Sequence, residues 1–328
     1  MTNLYYEKDV KSNYLKDLTI AIIGYGSQGH AQANNMKDSG LNVIIGVRPN
    51  GISWKKAQKD GFNVYSISTA VRNADIIHIL IPDECQEKIY QECIHDYLKE
   101  GATLSFSSGF SIHYNKIIAP QNVNIILFAP KGPGPSVRSQ YLKGSGVPGL
   151  LAVHQDFTGN AKEISLEMAK ACGATKVGVL KTTMKDEIET DLFGEQTILV
   201  GGLVELMIAS FNTLINAGYR EENAYFETVH ELKLIVDIIY RDGIAGMLNA
   251  VSNTAKYGWL FSGKKIITDD TVLELENVLK RIQSKEFLSE WDSEYSNGLK
   301  NLNENMKIIE SMQIEKVGTR VRKLIQEK

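Results

Sequence analysis

The sequence predicts two domains, an α/β domain over residues 1–181 followed by an all-α domain over residues 182–328. The chain has 328 residues, a length that suits two domains. In the first half, short apolar runs alternate with amphipathic segments, which is typical of a mostly parallel sheet covered by helices. Beyond about residue 180, long helical periodicity replaces the strand-like runs, and no proline follows Pro148.

The apolar runs of the first half predict seven strands, at residues 18–23, 42–47, 63–65, 75–81, 103–106, 124–128 and 150–153. Helices are predicted between them, for example at 30–39, 54–60 and 84–98. The second half predicts helices at 186–217, 222–240, 244–257, 270–284, 286–295 and 298–312. The apolar stretch 197–219 is interrupted by Glu205 and Asn212, which favours a buried core helix over a membrane span.

The composition is that of an ordinary globular protein. Lys and Arg total 36 and Asp and Glu total 39, and this balance, with no basic run, argues against a nucleic-acid binder. The three cysteines, Cys85, Cys93 and Cys172, have no metal-ligand spacing and predict no disulfide framework. The polar N-terminus shows no signal-peptide pattern, so we expect a cytoplasmic protein with no membrane partner.

A glycine-rich loop predicts a dinucleotide site. The first strand runs into the G-x-G-x-x-G pattern, and a predicted helix follows. The first glycine permits the turn, the second lets the backbone approach a pyrophosphate, and the third lets helix and strand pack closely. The alternative is a tight glycine turn without a ligand. The pattern predicts a Rossmann-type domain whose cofactor contacts include Gly24, Tyr25, Gly26, Ser27, Gln28 and Gly29.

Two further segments are expected at the cofactor. Arg48 follows the second strand, where a cation suits the 2′-phosphate of NADP, and Ser53 adds a hydroxyl donor. The alternative for Arg48 is a solvated loop cation. The fourth strand ends at the crevice where such sheets bind ligands, and the residues expected there are Asp83, Glu84, Cys85 and Gln86.

Two pairs of carboxylates predict a metal site. Asp191 and Glu195 lie four residues apart on one predicted helix, and Glu227 and Glu231 repeat that spacing on another. Oxygen-rich sites of this kind suit hard divalent cations such as Mg²⁺. The alternative is an exposed acidic helix face. The apolar residues around Glu227 and Glu231 favour the metal site, because buried carboxylates need partners.

The chain resembles the short-chain class of ketol-acid reductoisomerases over nearly its whole length, as a divergent member. The matching strings are GYGSQGHA (24–31), SWKKA (53–57), DGFNV (60–64), IPDECQ (81–86), APKGPG (129–134), GSGVPGLLAVHQD (144–156), ETDLFGEQ (189–196), AYFETVHELKLIVDIIY (224–240) and VSNTAKYG (251–258). The resemblance implies a Rossmann domain that binds NADPH and a knotted, all-helical C-terminal domain. It also implies two Mg²⁺ ions, a homodimer or higher homo-oligomer, and active sites that take residues from both chains.

The implied reaction is an alkyl shift in a 2-aceto-2-hydroxy acid, followed by reduction with NADPH to a 2,3-dihydroxy acid, in valine and isoleucine synthesis. By resemblance, Asp191 bridges the two ions, Glu195, Glu227 and Glu231 complete their shell, and Glu195 also relays protons. Lys131 acts on the substrate oxygen of the second step or orients the site. Ser252 binds the substrate carboxylate, and Gly134 lies against the cofactor.

Four positions depart from the family pattern near the implied site. Ser108 stands where the family has a catalytic histidine, and serine supplies no group that titrates near neutral pH. Pro135 replaces a second histidine, Gly51 replaces a serine of the phosphate loop, and Lys256 replaces an acid. The retained carboxylates and Lys131 favour a working reductoisomerase. The alternatives are an impaired paralogue that binds nucleotide and metal, or a simple NADP-linked 2-keto acid reductase.

Overall fold

A computed structural model describes residues 4–11 and 13–326 of the chain. It divides into two compact units, Met1–Thr190 and Asp191–Lys328. The sequence placed the domain change after residue 181, where the last strand ends. The helix that follows, Met184–Gly194, crosses the division between the two units.

The N-terminal unit is built on one sheet of nine strands in the described part of the chain. The strands are β1 Leu4–Tyr5, β2 Thr19–Ile23, β3 Asn42–Gly46, β4 Asn63–Tyr65, β5 Ile76–Ile79, β6 Thr103–Phe106, β7 Asn124–Pro130, β8 Gly149–Gln155 and β9 Val179–Lys181. Their order is β1-β9-β8-β7-β6-β5-β2-β3-β4. The strands from β2 to β7 pair in parallel, whereas β8 is antiparallel to β7 and β1 is antiparallel to β9.

Both faces of this sheet are buried, which explains the continuous apolar strands. In β2, Ile20 and Ile22 join one hydrophobic core, and Ala21 and Ile23 join the core on the opposite face. The helices of this unit are α1 Ser27–Asp38, α2 Ile52–Lys59, α3 Ile67–Arg72, α4 Asp83–Cys93, α5 Phe110–His113, α6 Gly134–Leu142 and α7 Ala161–Ala171. The helix α8, Met184–Gly194, then leads out of the unit.

The described part of the C-terminal unit is helical throughout its regular structure. Its α-helices are α9 Gly201–Asn216, α10 Glu221–Tyr225, α11 Leu232–Ala250, α12 Asn253–Ile266, α13 Asp269–Gln283, α14 Glu286–Ser296, α15 Lys300–Ser311 and α16 Gln313–Gln326. Two wider π-helical turns, Glu195–Leu199 and Phe226–His230, interrupt the sequence of α-helices. A small core joins α9, α10 and α16 through Phe211, Tyr225, Val317 and Val321.

Two helix predictions for this unit are wrong. The helix predicted at 244–257 does not exist as one element. Helix α11 continues through a kink at Gly243 and ends at Ala250, and Ser252 then caps a new helix, α12. The stretch 197–219 was expected to be a buried core helix, but within one chain Phe211 is the buried residue of α9. By length and composition alone, the helical run Met184–Asn216 is long and apolar enough to span a membrane.

Candidate active site

A cavity of about 600 Å³ opens at the carboxyl ends of β2, β3 and β5 in the N-terminal unit. The strand order reverses between β2 and β5, and such a switch point is where open α/β sheets bind ligands. The structure brings six of the predicted cofactor residues to the wall of this cavity, namely Gly24, Tyr25, Gly26, Arg48, Ser53 and Cys85.

The three glycines of the loop meet three different requirements. Gly24 has φ +100°, and a Cβ there would lie 2.8 Å from the carbonyl oxygen of Leu80. A Cβ on Gly29 would lie 2.3 Å from the Gly24 carbonyl oxygen, so helix α1 packs against the turn without room for a side chain. Gly26 has no heavy atom within 4 Å of a Cβ position, which leaves its backbone open to a ligand.

The segment after β5 is divided between the cavity and the protein interior. Gln86 is buried, and its amide donates to the carbonyl of Ile81 at 3.0 Å and to Asp83 Oδ1 at 2.9 Å. Its oxygen accepts a hydrogen bond from Ser111 at 2.8 Å. Gln86 therefore fixes the start of α4, and Asp83 and Glu84 occupy the first turn of that helix.

Gly134 lies against the last residues of the glycine-rich loop, where helix α1 begins. A Cβ on Gly134 would lie 2.3 Å from the Ser27 carbonyl oxygen, so Gly134 packs directly against the backbone of that loop. Gln28 reaches the same segment, since its Nε2 donates to the Gly132 carbonyl at 2.9 Å. The loop over 131–134, which we call the lysine loop, is thus attached to the start of α1 at two points.

Lys131 is held by a buried carboxylate. Its Nζ donates to Glu187 Oε1 at 2.7 Å, and the backbone N–H of Gly109 donates to Glu187 Oε2 at 2.7 Å. The Glu187 side chain is 1% exposed, whereas that of Lys131 is 32% exposed. The buried carboxylate therefore fixes the position of the Lys131 ammonium, which remains partly exposed at the surface. Sequence reasoning did not single out Glu187, because it stands in a run of five acids.

Ser108 lies next to this anchor but makes a local contact. Its Oγ accepts a hydrogen bond from the N–H of Phe110 at 3.2 Å, at the start of the short helix α5. The nearby His113 is 3.3 Å from Glu189. The described hydrogen bond of the Ser108 hydroxyl is therefore to the backbone.

Three of the four predicted carboxylates lie in or next to π-helical turns, and Asp191 lies in α8, four residues before the first turn. Glu195 opens the first turn, in which the N–H of Val200 donates to the Glu195 carbonyl at 3.1 Å. Glu227 lies in the second turn, which closes with the N–H of Glu231 donating to the Phe226 carbonyl at 3.0 Å. Single π-helical turns inside helices are rare and are frequent at functional sites. The periodicity of the sequence does not distinguish these turns from ordinary helix.

The described residues of one chain contain no group of three or more His, Cys, Asp or Glu side chains placed to hold a metal ion. Glu195, Glu227 and Glu231 are exposed, and Asp191 is half-buried. The expectation that apolar neighbours bury Glu227 and Glu231 is therefore wrong within one chain. The structure gives two separate carboxylate pairs instead of one completed cluster.

Ser252 occupies the first position before α12. Its Oγ accepts a hydrogen bond from the N–H of Ala255 at 3.2 Å, which caps the helix. Accepting that bond leaves the hydroxyl hydrogen available to donate, as contact with a carboxylate requires.

Comparison with known families decides the identity of this arrangement. The NADPH-binding domain of acetohydroxy acid isomeroreductase matches residues 14–178, and the C-terminal domain of ketol-acid reductoisomerase matches residues 184–327. The chain belongs to the ketol-acid reductoisomerase family. This confirms the resemblance and the fold class, a Rossmann-type α/β domain followed by an all-helical domain.

Full-length relatives agree with this assignment. The chain is 54% identical over 324 residues to the ketol-acid reductoisomerase (NADP(+)) of Pyrococcus abyssi, covering 99% of this chain and 98% of that one. It is 55% identical to that of Methanocaldococcus jannaschii, with the same coverage. A solved NADH-preferring ketol-acid reductoisomerase from an uncultured archaeon superposes with a TM-score of 0.96 at 46% identity, covering 98% of this chain and 99% of that one.

Proposed function

We propose that this chain converts 2-acetolactate or 2-aceto-2-hydroxybutyrate into the corresponding 2,3-dihydroxy acid, by alkyl migration and then reduction with a nicotinamide cofactor. The observation that carries the proposal is that both domains of the ketol-acid reductoisomerase family match this chain, in order and almost from end to end. The work of the protein is then in valine and isoleucine synthesis, and we place it in the cytoplasm.

The cavity fits a dinucleotide, and its charge favours NADPH. The open backbone at Gly26 and the start of α1 suit a pyrophosphate. Arg48 and Ser53 line the same cavity and offer a cation and a hydroxyl to a 2′-phosphate. Arg48→Ala should raise the KM for NADPH by about tenfold or more, because a charge-assisted bond is lost, and leave the KM for NADH nearly unchanged. Equal effects on both cofactors would favour NADH as the natural one.

The carboxylates have the right chemistry for Mg²⁺ ligands, but the described residues of one chain place too few of them together. Carboxylate oxygens are the ligands that Mg²⁺ takes in proteins. Asp191 with Glu195, and Glu227 with Glu231, provide two pairs, and the described residues of one chain bring no third ligand to either. A second copy of the chain would therefore complete each site, with Asp191 and Glu195 from one chain and Glu227 and Glu231 from its partner.

The exposed apolar helices of the C-terminal unit support a dimer or higher homo-oligomer. Helices α11 and α12 contain no buried residue in the described single chain. Large side chains such as Tyr240, Trp259 and Leu260 are each more than half exposed there. Exposed apolar side chains grouped in this way are typical of protein–protein interfaces. We assign the exposed apolar side of α9 to the same interface, which accounts for its membrane-like composition.

The remaining residues bind and orient. Bound Mg²⁺ supplies Lewis-acid polarisation of the substrate oxygens. Lys131, anchored on Glu187, directs its ammonium hydrogens towards an oxygen of the substrate. Ser252 donates to the substrate carboxylate, and Glu195, itself one of the proposed metal ligands, takes up or returns a proton. Ser108 keeps the backbone of the neighbouring loop in place and replaces no base.

The serine at 108 keeps the impaired paralogue and the simple keto acid reductase as alternatives. The test is oxidation of NADPH with 2-acetolactate and Mg²⁺, with Asp191→Asn as the control. Turnover that disappears in Asp191→Asn supports the proposal and shows that Ser108 is tolerated. A folded protein that binds NADPH without turnover refutes it in favour of the paralogue. Reduction of the 2-keto acid alone, with acetolactate untouched, would indicate the reductase.

A further inference from the structure

A network of hydrogen-bonded side chains leads from the sheet to the lysine loop through Gln28, a half-buried residue of the glycine-rich loop. It starts at His78 on β5, whose Nε2 lies 2.9 Å from Gln32 Oε1. Gln32 Nε2 donates to Gln28 Oε1 at 3.1 Å, and Gln28 Nε2 donates to the Gly132 carbonyl at 2.9 Å. His78 and Gln32 are completely buried.

Every hydrogen bond in this network has only one possible direction. The Gly132 carbonyl can only accept, so Gln28 must present its NH₂ there and its oxygen to Gln32. Gln32 must then donate to Gln28 and turn its own oxygen to His78, which donates from Nε2. A branch gives the same answer, because Ser107 donates to the Phe128 carbonyl at 2.8 Å and accepts from Gln32 Nε2 at 3.1 Å.

His78, where the network starts, stays neutral at physiological pH. Burial lowers the pKa of His78 to about 4. A neutral imidazole carries one N–H, and the direction of the network assigns that hydrogen to Nε2, where Gln32 Oε1 accepts it, while the buried Nδ1 has no partner among the described residues. The His78 donor is therefore unchanged around neutral pH.

We propose that Gln32 and His78 are positioning residues that hold the lysine loop against the glycine-rich loop, and so place Lys131 relative to the cofactor. The inference rests on the proposed function, in which Lys131 acts on the substrate. Neither Gln32 nor His78 lines the cofactor cavity, so their effect passes through Gln28 to Gly132, the residue next to Lys131. The Gly134 contact with Ser27 is the second attachment of the same loop.

Disrupting the hydrogen-bond network should displace Lys131 without removing any group that touches substrate or cofactor. With Gln32 replaced, the Gln28 oxygen loses its donor, and the Gln28 amide is free to rotate away from Gly132. Displacements of about 1 Å in a catalytic group cost up to about a hundredfold in rate. We therefore expect kcat to fall about ten- to a hundredfold, and the KM for Mg²⁺ to change less than twofold, because the carboxylate pairs lie in the other unit.

Two sets of variants test the positioning role in the full-length protein. Gln32→Met keeps the side-chain length and removes the amide. His78→Phe removes the Nε2 donor, whereas His78→Gln keeps an N–H donor at a similar reach. The readouts are kcat with 2-acetolactate, and amide hydrogen exchange of the segment 128–140 by mass spectrometry. Gln32→Met and His78→Phe should lower kcat and accelerate exchange in that segment at least threefold, and His78→Gln should restore both.

The matched control is Asn124→Leu. Asn124 is a completely buried amide at the start of β7, at the end of that strand away from Lys131, where it donates to Thr103 and Thr158. Its replacement removes a comparable buried hydrogen-bond network far from Lys131. Asn124→Leu should accelerate exchange around residues 156–160 and leave kcat per folded molecule within twofold of wild type.

Three results would overturn the inference. One is normal kcat and normal exchange of the segment 128–140 in folded Gln32→Met and His78→Phe. Another is a kcat loss in Asn124→Leu as large as that in Gln32→Met, since this would indicate general destabilisation. The third is a failure of His78→Gln to restore what His78→Phe loses. If wild type shows no turnover but the exchange changes appear, the proposed function fails while the attachment of the lysine loop stands.

Discussion

Replacing Glu187 with glutamine removes a negative charge from a carboxylate that two donors share. The carboxylate accepts from Lys131 and from the Gly109 N–H, each at 2.7 Å. Glutamine has one acceptor oxygen, so one of the two donors then faces an NH₂ group. A hydrogen bond to a charged group contributes about 1.5–3 kcal/mol, and breaking a fully buried ion pair costs about 3–5 kcal/mol. Because Lys131 is 32% exposed and solvent screens part of its charge, we expect a loss of about 2–3 kcal/mol.

A double-mutant cycle measures this interaction. The free energy of unfolding is determined by urea titration for wild type, Glu187→Gln, Lys131→Met and the double variant, all at one protein concentration. We expect a coupling energy of about 2 kcal/mol between the two positions. In the activity assay, Lys131→Met should lower kcat about a hundredfold, as the loss of one oriented donor does in other active sites.

The control is the surface pair of Lys88 and Glu92, which lie four residues apart on α4 with side chains 76% and 57% exposed. The same cycle on that pair should give a coupling below about 0.5 kcal/mol, because exposed helix pairs contribute little. A coupling of Lys131 with Glu187 that is no larger than this would refute the view that a buried carboxylate anchors the lysine.

Three further predictions concern other parts of the chain. Burial lowers the pKa of His78 from 6.5 to about 4, so the unfolded chain binds this proton first as the pH falls; wild type should lose about 3 kcal/mol of unfolding free energy from pH 7 to pH 4, relative to His78→Gln in the same titration. A Cβ on Gly318 would lie 2.6 Å from the Tyr225 ring; Gly318→Ala should therefore lower stability by about 1–3 kcal/mol in thermal unfolding, although alanine ordinarily stabilises a helix, and a raised Tm would contradict the contact. Gly134→Ala has no room against Ser27; it should weaken NADPH binding by about tenfold in a fluorescence titration, and unchanged affinity would mean that the loop yields without cost.

The strands of the parallel sheet could be predicted because burial on both faces makes them nearly continuous apolar runs. All seven predicted strands correspond to observed ones, from β2 to β8. The sheet also contains β1 and β9, which have two and three residues. Segments this short show no periodicity, and their pairing depends on contacts between distant parts of the chain.

The candidate site could be predicted where its chemistry has a fixed spacing. The three glycines of the loop and the two carboxylate pairs repeat at intervals that a helix or a turn imposes. Glu187 has no such spacing, because only the fold brings it to Lys131 and Gly109. The Gln32–His78 contact joins residues 46 positions apart, and one buried amide looks like any surface glutamine in the sequence.

The helical unit was the least predictable part, because its apolar faces are not covered within one chain. Burial normally separates core from surface positions along a helix, and here the two look alike in α11 and α12. The kink at Gly243 and the break before Ser252 moved the helix ends away from the predicted ones. Apolar composition alone therefore indicated helix but gave no reliable ends.

The two π-helical turns also set a rotational phase along the helical unit. Each residue of an α-helix advances the chain by about 100°, so removing one residue from a turn would rotate everything downstream by that angle. In the sequence, the turn at Glu195–Leu199 is followed by α9 with its apolar side, and the turn at Phe226–His230 is followed by α11 with its apolar side. The number of residues in each turn thus fixes the direction in which the carboxylates point relative to those apolar sides. Deletion of Thr197 or of Thr228 alone would leave every carboxylate and every apolar residue present, but aimed at different neighbours.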